Sequence, residues 1–410
     1  MSERFTSAFF AGNREKLRQL FTGTAPIVVT ANGLLQRGGD SSYPFAQDAN
    51  FWYLTGIDEP DIILVIEKDK EYLIVPPRET SREAFDGTVD NEHIIHRSGI
   101  QTVLDEKEGW KQLGGKLKKA KHVATIAAAP EYIATRGLYT NPARARLIKS
   151  LKDHNEAIEL LDLAEHLVRL RMVKQPLELA AIQTAIDITI DTLKEVTKPA
   201  KLEKYTYEYE LEADITCGFR KRGAEGHAFE PIVASGKAAC TLHNIANNGE
   251  LASNELLVCD VGAEIEHYAA DITRTFSLGQ PSKRQRAVYD AVKETQEFAK
   301  SLLKPGVLLK EYELQVEQFM GEKLRELGLI KTVEHTEVRK FYPHATSHFL
   351  GLNVHDVGDY SRSLESGMVL TVEPGIYIPI ESIGVRIEDD VLITEDGIAV
   401  MSERLPRTLT

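Results

Sequence analysis

Residues 256–276, LLVCDVGAEIEHYAADITRTF, constrain this chain more than any other stretch, because they set two aspartates, Asp260 and Asp271, in an otherwise apolar, strand-forming run. Leu256, Val258 and Asp260 share one face of a period-2 strand. A turn centred near Ile265 and Glu266 brings the chain back antiparallel and sets Asp271 opposite Asp260. Directly paired residues on one sheet face have Cβ atoms about 5 Å apart. Two carboxylates that close in a poorly solvated sheet repel unless one is protonated or a cation lies between them. A metal ion is the simplest solution.

The C-terminal third repeats the design. Residues 367–393, GMVLTVEPGIYIPIESIGVRIEDDVLI, carry Glu373 and Glu388 in two strand-like runs joined by a connection containing proline and glycine. Between the two hairpins, HATSHFLGLNVHDV supplies His344, His348 and His355. Four carboxylates and one imidazole form an oxygen-rich set that suits two hard or borderline divalent ions, Mn(II) ahead of Zn(II), with Co(II) a further candidate. Spacing does not say which histidine binds.

Asp-x10-Asp, the histidine cluster, TVEPGIY and GVRIEDD together resemble the metal-dependent peptidases of the pita-bread fold. Among these the chain is most similar to the Xaa-Pro aminopeptidases (aminopeptidase P), with the Xaa-Pro dipeptidases (prolidases) second. The resemblance places the metal ligands on Asp260, Asp271, His348, Glu373 and Glu388. It implies that Glu373 also takes the proton of the attacking water. His243 follows the loop Ala234-Ser235-Gly236, and with His355 it is implied in substrate and transition-state hydrogen bonding. His344 is implied nearby, and Arg386 to hold either a carboxylate or a substrate carbonyl. His344, His355 and Phe349, with Arg386 at the rim, are candidate walls of a proline pocket. Ala345 and Asn353 depart from the family's usual glycine and aspartate; neither removes a ligand.

The resemblance extends to the N-terminal part, where SSYPFAQDANFWYLTG is similar to a recurrent stretch of aminopeptidase P. Tyr43, Phe45, Phe51, Trp52 and Tyr53 are read first as core residues. Around them APIVVTA, DIILVIE, EYLIVP and HVATIA alternate with helical segments, which implies an α/β layer with a partly parallel sheet. A chain of 410 residues suggests two domains. Pro176 fits the first turn of a new helix, which puts the junction near Arg171. The expected organisation is an α+β chain: a smaller α/β domain over residues 1–170 and a pita-bread catalytic domain over residues 171–410. Within the latter, Lys198-Pro199-Ala200 with Glu208-Tyr209-Glu210-Leu211 matches Lys304-Pro305-Gly306 with Glu311-Tyr312-Glu313-Leu314. Each copy precedes a carboxylate hairpin, so a pseudo-twofold repeat is expected, one ligand pair per half.

The formal net charge of −13 argues against nucleic acid or anionic membrane as partners, since phosphate binding relies on clustered Lys and Arg. No apolar run approaches the roughly 18 residues of a membrane helix and no secretory leader is evident, so a cytoplasmic location is expected. Cys217, Cys240 and Cys259 are too few for a disulfide scaffold and are read as buried thiols. The expected activity is release of the N-terminal residue from peptides with proline second, in a homodimer or homotetramer. The alternatives are a dipeptidase confined to Xaa-Pro and a non-catalytic binding module of the same fold.

Overall fold

The computed structural model describes residues 4–77, 83–85, 87–127, 133 and 135–409. It divides into two compact units, Met1–Leu170 and Arg171–Thr410. The first is built on a six-stranded sheet of β1 (Ile27–Thr30), β2 (Ile63–Ile66), β3 (Glu71–Val75), β4 (Val103–Asp105), β5 (His122–Thr125) and β6 (Glu159–Asp162). Their order is β4-β3-β2-β1-β5-β6. Three neighbouring pairs, β3–β4, β1–β5 and β5–β6, are parallel. The unbroken apolar runs IVV and ILVI are buried along their length, as strands covered on both faces must be.

Helix α1 (Ala49–Thr55) forms where Asp48 accepts hydrogen bonds from the backbone N–H groups of Asn50 and Phe51, and it ends at Gly56 with φ 69°. A Cβ at Gly56 would meet the Phe10 ring at 2.3 Å, so the position needs glycine twice over. Phe51, Trp52 and Tyr53 are fully buried. Tyr43, by contrast, is 53% exposed, because it precedes the helix and has no neighbouring element to cover it.

The second unit begins its first long helix, α2 (Pro176–Val196), with proline in the first turn and a Glu178 carboxylate accepting from the Gln175 N–H. Helix α3 (Glu208–Lys221) then leads to a sheet of β7 (Ile232–Ser235), β8 (Leu256–Val261) and β11 (Ile272–Ser277). Between β8 and β11 the hairpin continues as β9 (Ala263–Ile265) and β10 (Tyr268–Ala269). The order then recurs: α4 (Lys283–Leu302), α5 (Leu309–Glu326), and a hairpin of β12 (Val369–Val372), β13 (Gly375–Ile378), β14 (Ile383–Arg386) and β15 (Asp389–Ile393). Val288 and Val292 of α4 and Met320 and Leu324 of α5 pack with Ile376, Ile378, Ile383 and Val385 in one buried cluster.

The two hairpins meet edge to edge. Glu388 N–H donates to the Thr273 carbonyl at 3.0 Å, and the Thr275 hydroxyl donates to the Arg386 carbonyl at 2.8 Å. Arg274, 2% exposed, reaches from the first hairpin to the Glu388 carbonyl and the Asp389 carboxylate of the second.

Two expectations need correction. The first hairpin turns at Glu266 and His267, both in the left-handed region (φ 49° and 67°), one residue later than expected. Asp260 therefore pairs with Thr273, not Asp271. A register shift of two keeps both aspartates on one face, so they remain diagonal neighbours. Of the cysteines only Cys259 is fully buried; Cys217 is exposed because it falls off the buried stripe of α3 formed by Leu211, Ile215, Gly218 and Phe219, and Cys240 is half-buried in the loop after β7.

Candidate metal centre

The second hairpin keeps one register throughout. Val372 pairs with Asp389 and Gly375 with Arg386, which sets Glu373 and Glu388 level with each other across the gap between the two pairings. The first hairpin, docked alongside, contributes Asp260 at the end of β8 and Asp271 just before β11. His348 arrives on a separate segment, laid beside β12 by the Thr371 N–H donating to the His348 carbonyl at 3.0 Å. Its Nδ1 contacts the Phe349 carbonyl at 3.0 Å, so Nδ1 carries the proton and Nε2 is left as a lone-pair donor. That Nε2 lies 3.4 Å from Asp271 Oδ2 and 3.5 Å from Glu373 Oε1. Ligand atoms of Asp271, His348 and Glu388 all lie within 4.8 Å of one another.

Electrostatics at this point require a cation or protons. Burial pushes the Asp271 carboxyl well above its ordinary range, and the nearby charges of Asp260, Asp390 and Glu373 push it further. Glu388 is raised in the same way, by burial and then by Asp271, Glu373 and Asp260. Glu373 is pushed up to about 7, mainly by burial and against the favourable charges of His348 and Arg386. Asp260 Oδ1 and Glu388 Oε1 are buried and accept no hydrogen bond. Buried carboxylate oxygens are seldom left unsatisfied, and a divalent cation supplies what the protein does not. The residues thus fit oxygen-preferring divalent ions with one imidazole ligand.

A hydrogen-bonded chain borders this cluster. Arg386, 3% exposed, donates to Asp260 Oδ2 at 2.6 Å and to the Tyr377 hydroxyl at 2.9 Å. Tyr377 lies 2.9 Å from His344 Nε2, while His344 Nδ1 donates to the Ala345 carbonyl at 2.8 Å. Burial and the Arg386 charge pull His344 down to about 3, so the ring is neutral at physiological pH, and Tyr377 must donate to Nε2. Arg386 is therefore the buried anchor of this chain and not a rim residue: its guanidinium needs Asp260 and Tyr377 to offset burial.

The remaining candidates spread outward. His355 is exposed, its ring edge-on to His348 with centroids 4.4 Å apart. His243 is exposed on the loop after β7, and its charge is among those disfavouring protonation of His344. Phe349, 1% exposed, packs under the Tyr360 ring and against Gly358, so it supports the site from below and presents no face to a substrate. Tyr360, half exposed above it, is the aromatic surface actually available. Sequence reasoning also passed over Tyr377, which stands in the TVEPGIY run itself. Arg386 lies diagonally across the same hairpin, but His344, the partner that ties Tyr377 to the site, comes from another segment.

Among the described residues, no helix is long and apolar enough to cross a membrane. Residues 180–395 match the model of metallopeptidase family M24, and residues 10–126 match that of the aminopeptidase P N-terminal domain. A Haemophilus influenzae protein named Xaa-Pro aminopeptidase is 34% identical over 91% of this chain and 89% of its own length. An Escherichia coli Xaa-Pro aminopeptidase is 33% identical over 97% and 94%. The solved structure of E. coli aminopeptidase P in its low-pH form superposes with a TM-score of 0.87, at 30% identity over 99% of this chain and 97% of that one. The fold is the pita-bread fold of those enzymes, with an aminopeptidase P N-terminal domain ahead of it.

Proposed function

The chain belongs to metallopeptidase family M24, and we propose that it is a metal-dependent Xaa-Pro aminopeptidase, releasing the N-terminal residue from peptides with proline at the second position. The observation that carries this reading is the meeting of two carboxylate hairpins and His348 at one buried point, with two carboxylate oxygens lacking any donor. Asp260, Asp271, His348, Glu373 and Glu388 would hold two divalent ions, Mn(II) first by ligand hardness and Zn(II) or Co(II) otherwise. Such ions supply a hydroxide near neutral pH and polarise the scissile carbonyl.

The protein's own groups then set the course of the reaction. Glu373 is suited to take the proton of the attacking water and pass it to the leaving proline nitrogen, because a carboxylate beside two cations would hold a proton only briefly. That nitrogen needs it, because an amide nitrogen leaves as an amine only once it is protonated. Exposed His355 and exposed His243 would hydrogen-bond the substrate and the developing oxyanion. Neutral His344, whose Nδ1–H is spent on the Ala345 carbonyl, would offer the substrate only the acceptor Nε2 that Tyr377 now occupies, while Arg386 holds both Asp260 and Tyr377 in place. A ring-reading pocket would use His344, His355 and Tyr360. A free N-terminal amine is expected to fall among the ligand carboxylates, which limits the enzyme to single-residue removal. We place the protein in the cytoplasm, as a homodimer or homotetramer.

The test is product analysis after incubation with Mn(II). Ala-Pro-Ala should be cut between Ala and Pro with kcat/KM well above that for Ala-Ala-Ala, and at least as well as Ala-Pro. Turnover confined to the dipeptide would establish a prolidase, and equal turnover of Ala-Ala-Ala would reject proline recognition.

A further inference from the structure

The repeated words Glu208-Tyr209-Glu210-Leu211 and Glu311-Tyr312-Glu313-Leu314 have no part in the chemistry above, yet each contains a glutamate turned inward. Glu313, on α5, accepts from the Thr346 N–H at 2.9 and 3.0 Å, from the Thr346 hydroxyl at 3.0 Å and from the Ser347 N–H at 3.1 Å. Those are consecutive residues immediately before His348. The Thr346 carbonyl in turn accepts from the Glu373 N–H at 2.8 Å. One carboxylate thus fastens the segment between His344 and His348, and through Thr346 reaches the backbone of Glu373. The same helix face adds two ties: the Tyr312 and Ser347 hydroxyls lie 2.9 Å apart, and Glu317 holds Arg339, which donates to the His344 carbonyl at 2.6 Å.

Glu208 does the corresponding work in the first half. Its carboxylate, 1% exposed, accepts from the Ser235 N–H at 2.8 Å and the Gly249 N–H at 2.9 Å, the two ends of the loop that carries His243. Gly249 is bare for this purpose: a Cβ there would lie 2.8 Å from Glu208 Oε1. The two glutamates come from different letters of the repeated word, the first Glu in one copy and the second in the other. What recurs is the placement, a carboxylate near the start of the second helix of each half, spent on backbone N–H groups of a histidine-bearing segment. Such charge-assisted bonds to main chain are strong and fix the segment and not merely one side chain.

We propose that Glu313 and Glu208 are paired positioning residues: Glu313 sets His344, His348 and Glu373 relative to one another, and Glu208 sets the His243 loop. The proposal rests on the activity proposed above, and its test separates the two. Glu313→Gln keeps the volume but turns an amide NH2 towards N–H donors, and Glu208→Gln does the same in the other half. Three quantities are read in each variant: Mn(II) affinity by calorimetry without substrate, kcat and KM for Ala-Pro-Ala at saturating Mn(II), and thermal midpoint. Glu313→Gln should weaken Mn(II) binding and lower kcat at saturating metal by about a hundredfold, the scale of an ångström's misplacement. Glu208→Gln should leave Mn(II) affinity at the parental value and lower kcat. Parental Mn(II) affinity and kcat in Glu313→Gln, with only the thermal midpoint lowered, would reduce it to a structural residue and overturn the proposal. So would loss of Mn(II) affinity in Glu208→Gln. Should Glu313→Gln not fold, Thr346→Val, which removes one of the four bonds, should show the same pairing of weakened metal binding and lowered kcat, and parental values there overturn it equally. If the parent enzyme fails to cut Ala-Pro-Ala, the activity reading falls, while the calorimetric arm still decides for or against the clasp.

Discussion

Five carboxylates, counting Asp390 behind Asp271, share a space that water barely reaches. Asp271, Glu388 and Asp390 are all held far above the ordinary carboxylate range by burial, with neighbouring charge adding to it. Asp271 and Glu388 are therefore needed in the ionised state only when a cation is present. Asp260→Ala, Asp271→Ala and His348→Ala should each lose bound metal together with activity; full metal occupancy by elemental analysis in all three would sink the ligand assignment. Glu373→Gln should keep some metal, since its amide oxygen still coordinates, but lose several orders of magnitude in kcat. His355→Ala is expected to be milder, about a hundredfold or roughly 3 kcal/mol, the usual loss of one transition-state donor; parental kcat would remove His355 from the mechanism. At this scale the sequence is legible wherever an acidic residue interrupts an apolar strand. Arg386 was misplaced to the rim because a strand pattern gives its face but not the depth of its sheet. Phe349 was misplaced because an aromatic beside a ligand looks the same whether it points to substrate or to core.

Each hairpin is a pair of short ladders separated by a gap, and the ligands lie in or beside the gaps. The register in both runs straight through: Glu264–Ala269 to Val261–Ile272 in the first, Gly375–Arg386 to Val372–Asp389 in the second. Period-2 reasoning recovered the shared face, and that was enough to pair the carboxylates. It missed the turn by one residue because Glu266 and His267 adopt left-handed conformations that glycine or asparagine would have signalled. Nothing local could have shown that the two hairpins dock through Arg274, whose partners Asp389 and the Leu405 and Pro406 carbonyls are more than a hundred residues away. Arg274→Ala takes the guanidinium from Asp389, which keeps Lys300 at 3.1 Å and the Ser402 hydroxyl at 2.7 Å, and leaves the Glu388 and Leu405 carbonyls without that donor; it should cost about 1–3 kcal/mol. Urea titration reads that directly; a loss under 1 kcal/mol would mean that the hairpins are held together by packing alone.

For the molecule as a whole, the crowded site makes stability depend on pH and metal together. Groups whose folded value is raised bind a proton in the folded state that the unfolded chain has already lost, so stability falls as pH rises between the two values. For Glu373 that window runs from its ordinary 4.5 to about 7, and Asp271 and Glu388, also raised, act in the same direction. Asp356 and Asp389, held low by Arg171 and Arg274, contribute stability that is lost only below the ordinary aspartate value of 3.8, outside this window. His344, pulled down to about 3, and His227, also lowered, act the other way below pH 6.5, but the raised carboxyls of Asp271, Glu373, Glu388 and Asp390 outnumber them. The chelated protein should therefore melt at a lower temperature at pH 7.5 than at pH 5.5, and Mn(II) should reverse that order. A chelated protein that is more stable at pH 7.5 would contradict the account of the site's electrostatics.

Titrating Mn(II) into chelated protein while following cleavage of Ala-Pro-Ala asks whether the two hairpins hold ions for a cut ahead of proline. No turnover is expected without metal, then a rise that saturates at two ions per chain, with a single cut between alanine and proline. Turnover indifferent to chelation, or metal that binds at two equivalents without any cut before proline, would contradict that expectation.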